Sequence, residues 1–456
     1  MRPWLLWASV SAIALSALAA VLFHWCPMLG KEPRDERLSR MRDSPQWSEG
    51  RFANEQPMWT NVRSGLLRSF ESTPGELPDT PVPVVMDGGK GLRIPAASGL
   101  RVTWFGHSSV LIEIDGVTVL ADPLWSERAS PLSWVGPKRW YPSPVGLREL
   151  PRIDVVMISH DHYDHLDRST ITGMANWAAT FVAPLGVGAH LERWGIPAAR
   201  IVELDWWQST RVGSLEIIAT PARHASGRIS PQSDGTLWAG YALLGAQHRA
   251  WYSGDTGFHS ALEEIGRRFG PFDVTLIEAG QYDADWPDWH LGPEQAVEAH
   301  RLVRGKRMIP VHWGLLKLAH HSWTEPVERV LAAAKCRDVD VLVPRPGENI
   351  EPGRSSSRVR WWPEIPWRSA HETPIVATRD GVASQRFEAL PCDPSSSYRR
   401  RRSSLPRPKS PNVTPDATMN SVSAFSSSIG HPDGQDLRSL VRLQGRPPWR
   451  GNCGER

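Results

Sequence analysis

The sequence predicts an α/β (α+β) domain whose chemistry gathers at the ends of strands. Two observations predict it. Between roughly Gly99 and Trp362, short strand-like runs alternate with helical ones, with no internal repeat. Several of those runs then close on a histidine or aspartate. With 40% hydrophobic and 22% charged residues in 456, the chain suits a soluble globular core. A net charge of +3, part of it from an arginine-rich tail, is too weak to imply nucleic acid.

Taken in order, residues 1–30 form the first segment. The run "WLLWASVSAIALSALAAVLF" (Trp4–Phe23) holds 20 residues without a charge, enough to cross a bilayer. A signal peptide with Ala17-Leu18-Ala19 as its cleavage site is the shorter reading. The run continues past that point to Phe23, which favours an anchor, and "FHW" before Cys26 is no lipobox. Arg2 precedes the run, while Lys31, Arg34, Arg37 and Arg40 follow it, so sidedness stays open. Residues 31–98 read as an N-terminal extension and 99–365 as the main domain. Residues 366–456 read as a tail, disordered from about 391, where Ser, Pro and Arg dominate and little can be buried. The basic run Arg399–Arg402 could touch anionic lipid or be merely solvated. Cys26, Cys336, Cys392 and Cys453 have no paired spacing, which excludes a disulfide framework and a zinc-thiolate site. The 23 tryptophans point to a Trp-rich surface or groove.

Within the main domain, "IDVVMI" (Ile153–Ile158) reads as a buried strand behind Pro151. Directly after it, His160 to Asp167 packs three histidines and three aspartates into eight positions. On an extended or tightly turning loop, alternate residues point the same way, so His160 and His162 can grip one ion while Asp164 and His165 face a neighbouring position. Imidazole with carboxylate suits zinc, and also iron or manganese. Three later strand-like runs each present one further ligand type. "SLEIIATPARHASGR" offers His224, "HRAWYSGDTG" offers Asp255 between glycines that admit close backbone approach, and "KRMIPVHWG" offers His312.

These motifs together resemble the metallo-β-lactamase fold. The stretch from "VTWFGHSSVLIEIDG" through "ISHDHYDHLD", "SGDTG" and "PVHWG", about Val102 to Trp323, is similar to N-acyl-phosphatidylethanolamine-hydrolysing phospholipase D and its bacterial RomA-like relatives. The resemblance implies an αββα sandwich with a dinuclear centre on one edge. His160, His162 and His224 would then hold one metal. Asp164, His165 and His312 would hold the other, with Asp255 bridging. Asp161 stands where the phospholipase usually has Asn, and Glu278 to Gln295 also departs from it, although His290 fits. The resemblance suggests that His290 faces substrate and protonates a leaving group; a helix-start histidine with no chemical part is the alternative, since "GPEQAVEAH" reads as a helix with Pro293 in its first turn. Asp122 in "LADP" is read either as orienting a metal-bound imidazole or as making a turn. His107 is read as shaping a turn, and His320-His321 near Trp323 either as lining a groove or as a solvated face.

A pair of divalent ions, most simply Zn2+, lowers the pKa of water towards neutrality, so hydrolysis needs no nucleophilic serine. "GHSS" also lacks the nucleophile-elbow pattern. The expected bond is a lipid phosphodiester of the N-acyl-phosphatidylethanolamine kind, with a lactone, amide or β-lactam of a small molecule as the alternative. Membrane association, in a bacterial cell envelope, follows from the first segment and the resemblance. A two-iron redox protein would need a flavin or iron-sulfur segment, and none appears. A non-catalytic membrane-associated module would tolerate missing ligands, and all seven are present.

Overall fold

In the computed structural model the described residues are 27–61, 64, 72–228, 233–354 and 360–387. The run Trp4–Phe23 and the stretch beyond 387 lie outside them. Helix α1 (Asp35–Arg42) and a hairpin of β1 (Trp47–Ser48) and β2 (Arg51–Phe52) precede the main domain. They are packed against it: Arg37 pairs with Glu203 at 2.6 Å, and Met41 and Phe52 lie in the core.

The period-2 pattern of the strands creates the layers. One sheet holds β3 (Leu100–Gly106), β4 (Ser109–Ile114), β5 (Val117–Ala121), β6 (Val155–Met157), β7 (Thr180–Pro184) and β8 (Ile201–Leu204). The other holds β9 (Ser209–Val212), β10 (Leu215–Thr220), β11 (Gly240–Leu244), β12 (Arg249–Tyr252), β13 (Phe272–Glu278), β14 (Gly305–Val311) and β15 (Asp340–Val341), in the order β15-β14-β13-β12-β11-β10-β9. A last strand, β16 (Asn349–Ile350), returns to the first sheet, giving β16-β3-β4-β5-β6-β7-β8. Val110, Ile112, Val119, Val155 and Met157 meet Ile217, Tyr241, Tyr252, Leu276 and Ile309 in one core between the sheets. Their alternates Leu111, Leu120, Val156 and Phe181 face outward, into a core with α2 (Arg168–Gly173) and α3 (Gly188–Arg193). On the far side Ile218, Ala242, Trp251 and Met308 pack under α4 (Ala261–Phe269), α5 (Pro293–Leu302) and α6 (Glu325–Arg337). Helix, sheet, sheet, helix is the αββα sandwich. Pro293 opens α5 as the sequence suggests.

Strands β5 to β8 run parallel, as do β12 to β15, while β10 and β3 share those directions through two antiparallel pairings each. The ends of β3, β5, β6, β10, β12, β13 and β14 gather at one edge of the sandwich, which is where the site forms.

Several expectations need correcting. The tryptophans do not make a surface: Trp104, Trp206, Trp238, Trp251, Trp313 and Trp323 are buried, and among the described residues only Trp134 and Trp367 are exposed. Indole rings are too apolar to leave in water once two sheets offer a core. His320 and His321 are buried rather than solvated; the His321 ring stacks on Tyr282 at 4.5 Å and its Nε2 accepts from Gln281 N. Residues 366–387, the first part of the tail, pack against the domain, with Ala377 and Thr378 fully buried. Packing also begins inside the 1–30 stretch, with Trp194 Nε1 donating to Pro27 O at 2.7 Å. Among the described residues no helix is long and apolar enough to cross a membrane.

A pH dependence follows from α5. His300 is buried with its Nδ1 2.8 Å from Thr275 Oγ1, and a Cβ at Gly305 would stand 2.4 Å from its ring. Burial, aided by Arg301, lowers its pKa to about 4. The unfolded chain binds a proton on this ring between pH 6.5 and 4 while the folded chain does not. Stability is therefore full above 6.5 and falls as pH drops to about 4, by roughly 3 kcal/mol for this one group. Denaturant titrations at pH 7 and pH 4.5 should show His300→Gln losing less stability on acidification than the wild type. Equal losses contradict the assignment.

Candidate metal centre

The turn after β6 is built by its own backbone. Ser159 N donates to Asp122 Oδ1 at 2.7 Å, and His165 N and Leu166 N both donate to His162 O. Asp167 then caps α2 by accepting from Ser169 N at 3.1 Å. Closing so tight a turn brings its imidazoles together.

His160 Nε2 lies 2.8 Å from His162 Nδ1, which lies 3.3 Å from His224 Nε2. The Nδ1 of His224 is 2.9 Å from Trp289 O. A carbonyl only accepts, so the proton sits on Nδ1 and Nε2 turns its lone pair inward. Burial, with crowding imidazoles, holds His160 and His224 well below the usual histidine range, keeping them neutral as ligands must be.

Beside this group, His107, Asp164, His165 and His312 place ligand-type atoms within 4.8 Å of one another. Asp255 stands between the groups. Its Oδ2 is 3.0 Å from His165 Nε2, 3.8 Å from His224 Nε2 and 3.9 Å from His160 Nε2, and its Oδ1 is 3.1 Å from His312 Nδ1. Gly254 makes this possible: at φ +57°, a Cβ there would sit 2.8 Å from Ala239 O and from the Ser159 side chain. Burial opposes ionisation of Asp164 and Asp255, but facing imidazoles outweigh it and hold both well below the carboxylate range. The same negative charge overcomes burial at His165 and favours a cation there, whether a proton on the ring or an ion that takes its place.

A divalent ion fits these residues. His165 Nε2, His312 Nε2 and Asp255 Oδ1 are buried without a hydrogen-bond partner, which is costly in a folded core unless an ion takes their lone pairs. The donor set is all imidazole and carboxylate, suited to zinc, iron or manganese.

The surrounding residues hold the rings in place. Asp122, buried at φ +39°, accepts from His165 Nδ1 at 2.8 Å, from Ser159 Oγ at 2.6 Å and from Tyr252 Oη at 2.5 Å. It therefore does more than make a turn. His107 does sit in the β3–β4 turn, at φ +51°, but its Nε2 also reaches Asp164 Oδ2 at 2.8 Å. Asp161 points away, accepting from Gly227 N and lying 3.2 Å from His190 Nε2; His190, with His162 and Arg228, overcomes burial and brings its pKa to about 2. Glu278, the last residue of β13, was not singled out from sequence. It is fully buried, sits 2.7 Å from His290 Nδ1 and accepts from Thr256 N at 2.5 Å. Burial raises Glu278 to about 7, with His290 pulling the other way. His290 is itself raised, Glu278 outweighing burial. A carboxylate closing the apolar run "FDVTLI" is the signal that would have found it.

The extensions also reach the site. Asn54 grips the His224 backbone twice, donating to its O at 2.7 Å and accepting from its N at 3.0 Å. Next to it, Arg223 pairs with buried Asp288 at 3.0 Å, and Asp288 accepts from Trp59 N and Thr378 N. Segments from both ends of the described chain thus brace the neighbours of His224 and His290.

Residues 117–313 match the beta-lactamase superfamily domain. The chain is similar to the uncharacterized protein Rv0906 of Mycobacterium tuberculosis, at 46% identity over 326 residues, covering 70% of this chain and 87% of that one. It is similar to N-acyl-phosphatidylethanolamine-hydrolyzing phospholipase D 1 of Caenorhabditis elegans, at 38% identity over 229 residues, covering 48% of this chain and 64% of that one. A UPF0173 metal-dependent hydrolase of Pyrobaculum neutrophilum matches at 27% identity over 254 residues, 55% of this chain and 100% of its own length.

Proposed function

The chain belongs to the beta-lactamase superfamily and is a metal-dependent hydrolase of that fold, and from this premise we propose that it cleaves a glycerophospholipid phosphodiester on the head-group side through a pair of divalent ions. The observation that carries the paired centre is Asp255, whose two oxygens lie near members of both ligand groups. His160, His162 and His224 would hold one ion and Asp164, His165 and His312 the other, with Asp255 shared between them. Zinc suits this set best. Bound there, such ions supply a nucleophilic water at neutral pH and neutralise charge on the scissile group.

The chain's own residues do the rest. Asp122 fixes the tautomer of His165, and Trp289 O fixes that of His224, so that each ring presents Nε2. His290 is 13% exposed beside fully buried Glu278. Its Nδ1 proton is held by Glu278, leaving Nε2 to give a proton to the departing head-group oxygen. The lipid substrate is supported by the likeness to the phospholipase from Caenorhabditis elegans, of which the match spans less than two thirds, and by the uncharged run Trp4–Phe23, which would keep the site near a bilayer. Mass spectrometry of products from N-acylated and ordinary phosphatidylethanolamine in mixed micelles tests the reading. Phosphatidic acid is expected. Its absence, alongside fast opening of a lactone or β-lactam by the same preparation, overturns the phosphodiester in favour of a small-molecule substrate.

A further inference from the structure

The loop between β5 and the histidine turn places three large apolar side chains in water within four residues. Leu132, Trp134 and Val135 stand in water at 41%, 74% and 44% exposure, and among the described residues Trp367 is the one other exposed indole. The loop's shape is well determined by its own bonds. Arg128 bridges to Lys138, Arg139 N donates to Glu127 O at 3.0 Å, and Arg128 Nη1 donates to Gly136 O at 2.6 Å. Gly136 turns the chain at φ +96°, where a Cβ would stand 2.7 Å from the Ser130 side chain. Structure is thus invested in holding three apolar side chains out at the tip, beside Arg128 and the Lys138–Glu127 ion pair.

The base of this loop is bonded to the segment that carries the candidate ligands. Ser126 N and Oγ donate to the Asp167 carboxylate at 2.9 and 2.8 Å, and Trp125 N donates to Thr170 Oγ1. The beginning of the described chain is tied to that same segment from another side. Arg228 donates to Met28 O at 2.9 Å and, through Nη1, to Asp161 O and Leu166 O. The chain that follows the uncharged run Trp4–Phe23 therefore arrives beside the histidine turn, as the base of the apolar loop does.

From this juxtaposition we infer that the Leu132–Val135 tip is a second bilayer contact, entering the interface of the membrane that holds Trp4–Phe23, so that the metal edge faces the lipid surface. A convex tip of one indole and two aliphatic chains suits a deformable lipid interface, where tryptophan settles at the head-group level; a protein partner would have to offer a matching cleft. The inference rests on the anchor and lipid readings proposed above.

The test uses the full-length chain in liposomes of phosphatidylethanolamine and phosphatidylglycerol. Cys26, Cys336, Cys392 and Cys453 are changed to serine, and Ser133→Cys carries a nitroxide. The control keeps Cys336, exposed on α6, as the labelled residue. At position 133 the label should collide more with oxygen, which dissolves in lipid, and less with a water-soluble nickel chelate than the label at Cys336 does. Adding Leu132→Ser, Trp134→Ser and Val135→Ser should return it to the control value. Nickel access at 133 equal to the control overturns the inference, as does shielding from both relaxants, which marks a protein contact, or failure of the chain to float with the liposomes. The readout needs no turnover: a shielded label in a chain that releases no phosphatidic acid overturns the phosphodiester alone.

Discussion

Asp255→Asn should abolish hydrolysis while leaving the fold intact. The amide keeps the shape of the side chain, which is buried among His160, His165, His224 and His312, but removes the charge that two cations would share. His160→Ala should be equally severe, because it removes one of three imidazoles whose nitrogens converge within about a hydrogen-bond length. Both variants are to be assayed with circular dichroism and metal content measured on the same samples. Turnover near wild type in either variant with metal fully loaded contradicts the dinuclear arrangement.

The second large effect concerns His290. If it gives a proton to the leaving oxygen, His290→Ala should lower turnover by roughly a hundred- to ten-thousand-fold, as loss of a general acid does. Metal content should stay unchanged, since the ring is engaged with Glu278 at 2.7 Å and lies outside the two ligand sets proposed above, although it also sits within 4.8 Å of Asp255 and His312. A substrate whose leaving group needs no proton separates this role from a structural one, because it should recover most of the lost rate. A variant that loses metal, or is equally slow on both substrates, contradicts the acid role.

Much of this site was legible because its chemistry is local. His160, His162, Asp164 and His165 share one turn, and a turn that dense in ligand types has few other uses. His224, Asp255 and His312 could be read because each follows an apolar strand, and strand ends in a sandwich of this kind gather at one edge. Glu278 obeyed the same rule and was passed over, because a carboxylate at a strand end is ordinarily a solvated terminus. Only the fold shows that Leu291 and His290 close over it. His107 and Asp122 read as turn residues because turns are local, whereas their partners Asp164 and His165 lie more than forty positions away. That most described tryptophans and His320-His321 lie inside rather than on the surface is hidden for a related reason. Composition counts apolar or polar rings but cannot say which of them two sheets will enclose. The packing of 27–31 and 366–387 was equally hidden, since backbone contacts such as Pro27 with Trp194 and Thr378 with Asp288 leave no periodicity in the sequence.

The paired centre is the claim on which the rest depends, and metal titration of the chelated full-length chain tests it most directly. Zinc added to the chelated protein should bind to a stoichiometry of two per chain, with hydrolysis returning as the second equivalent is taken up. Asp255→Asn should lower the affinity of both steps, because its carboxylate serves both groups. Saturation at one ion per chain with full activity, or full activity in the chelated protein, would contradict the account.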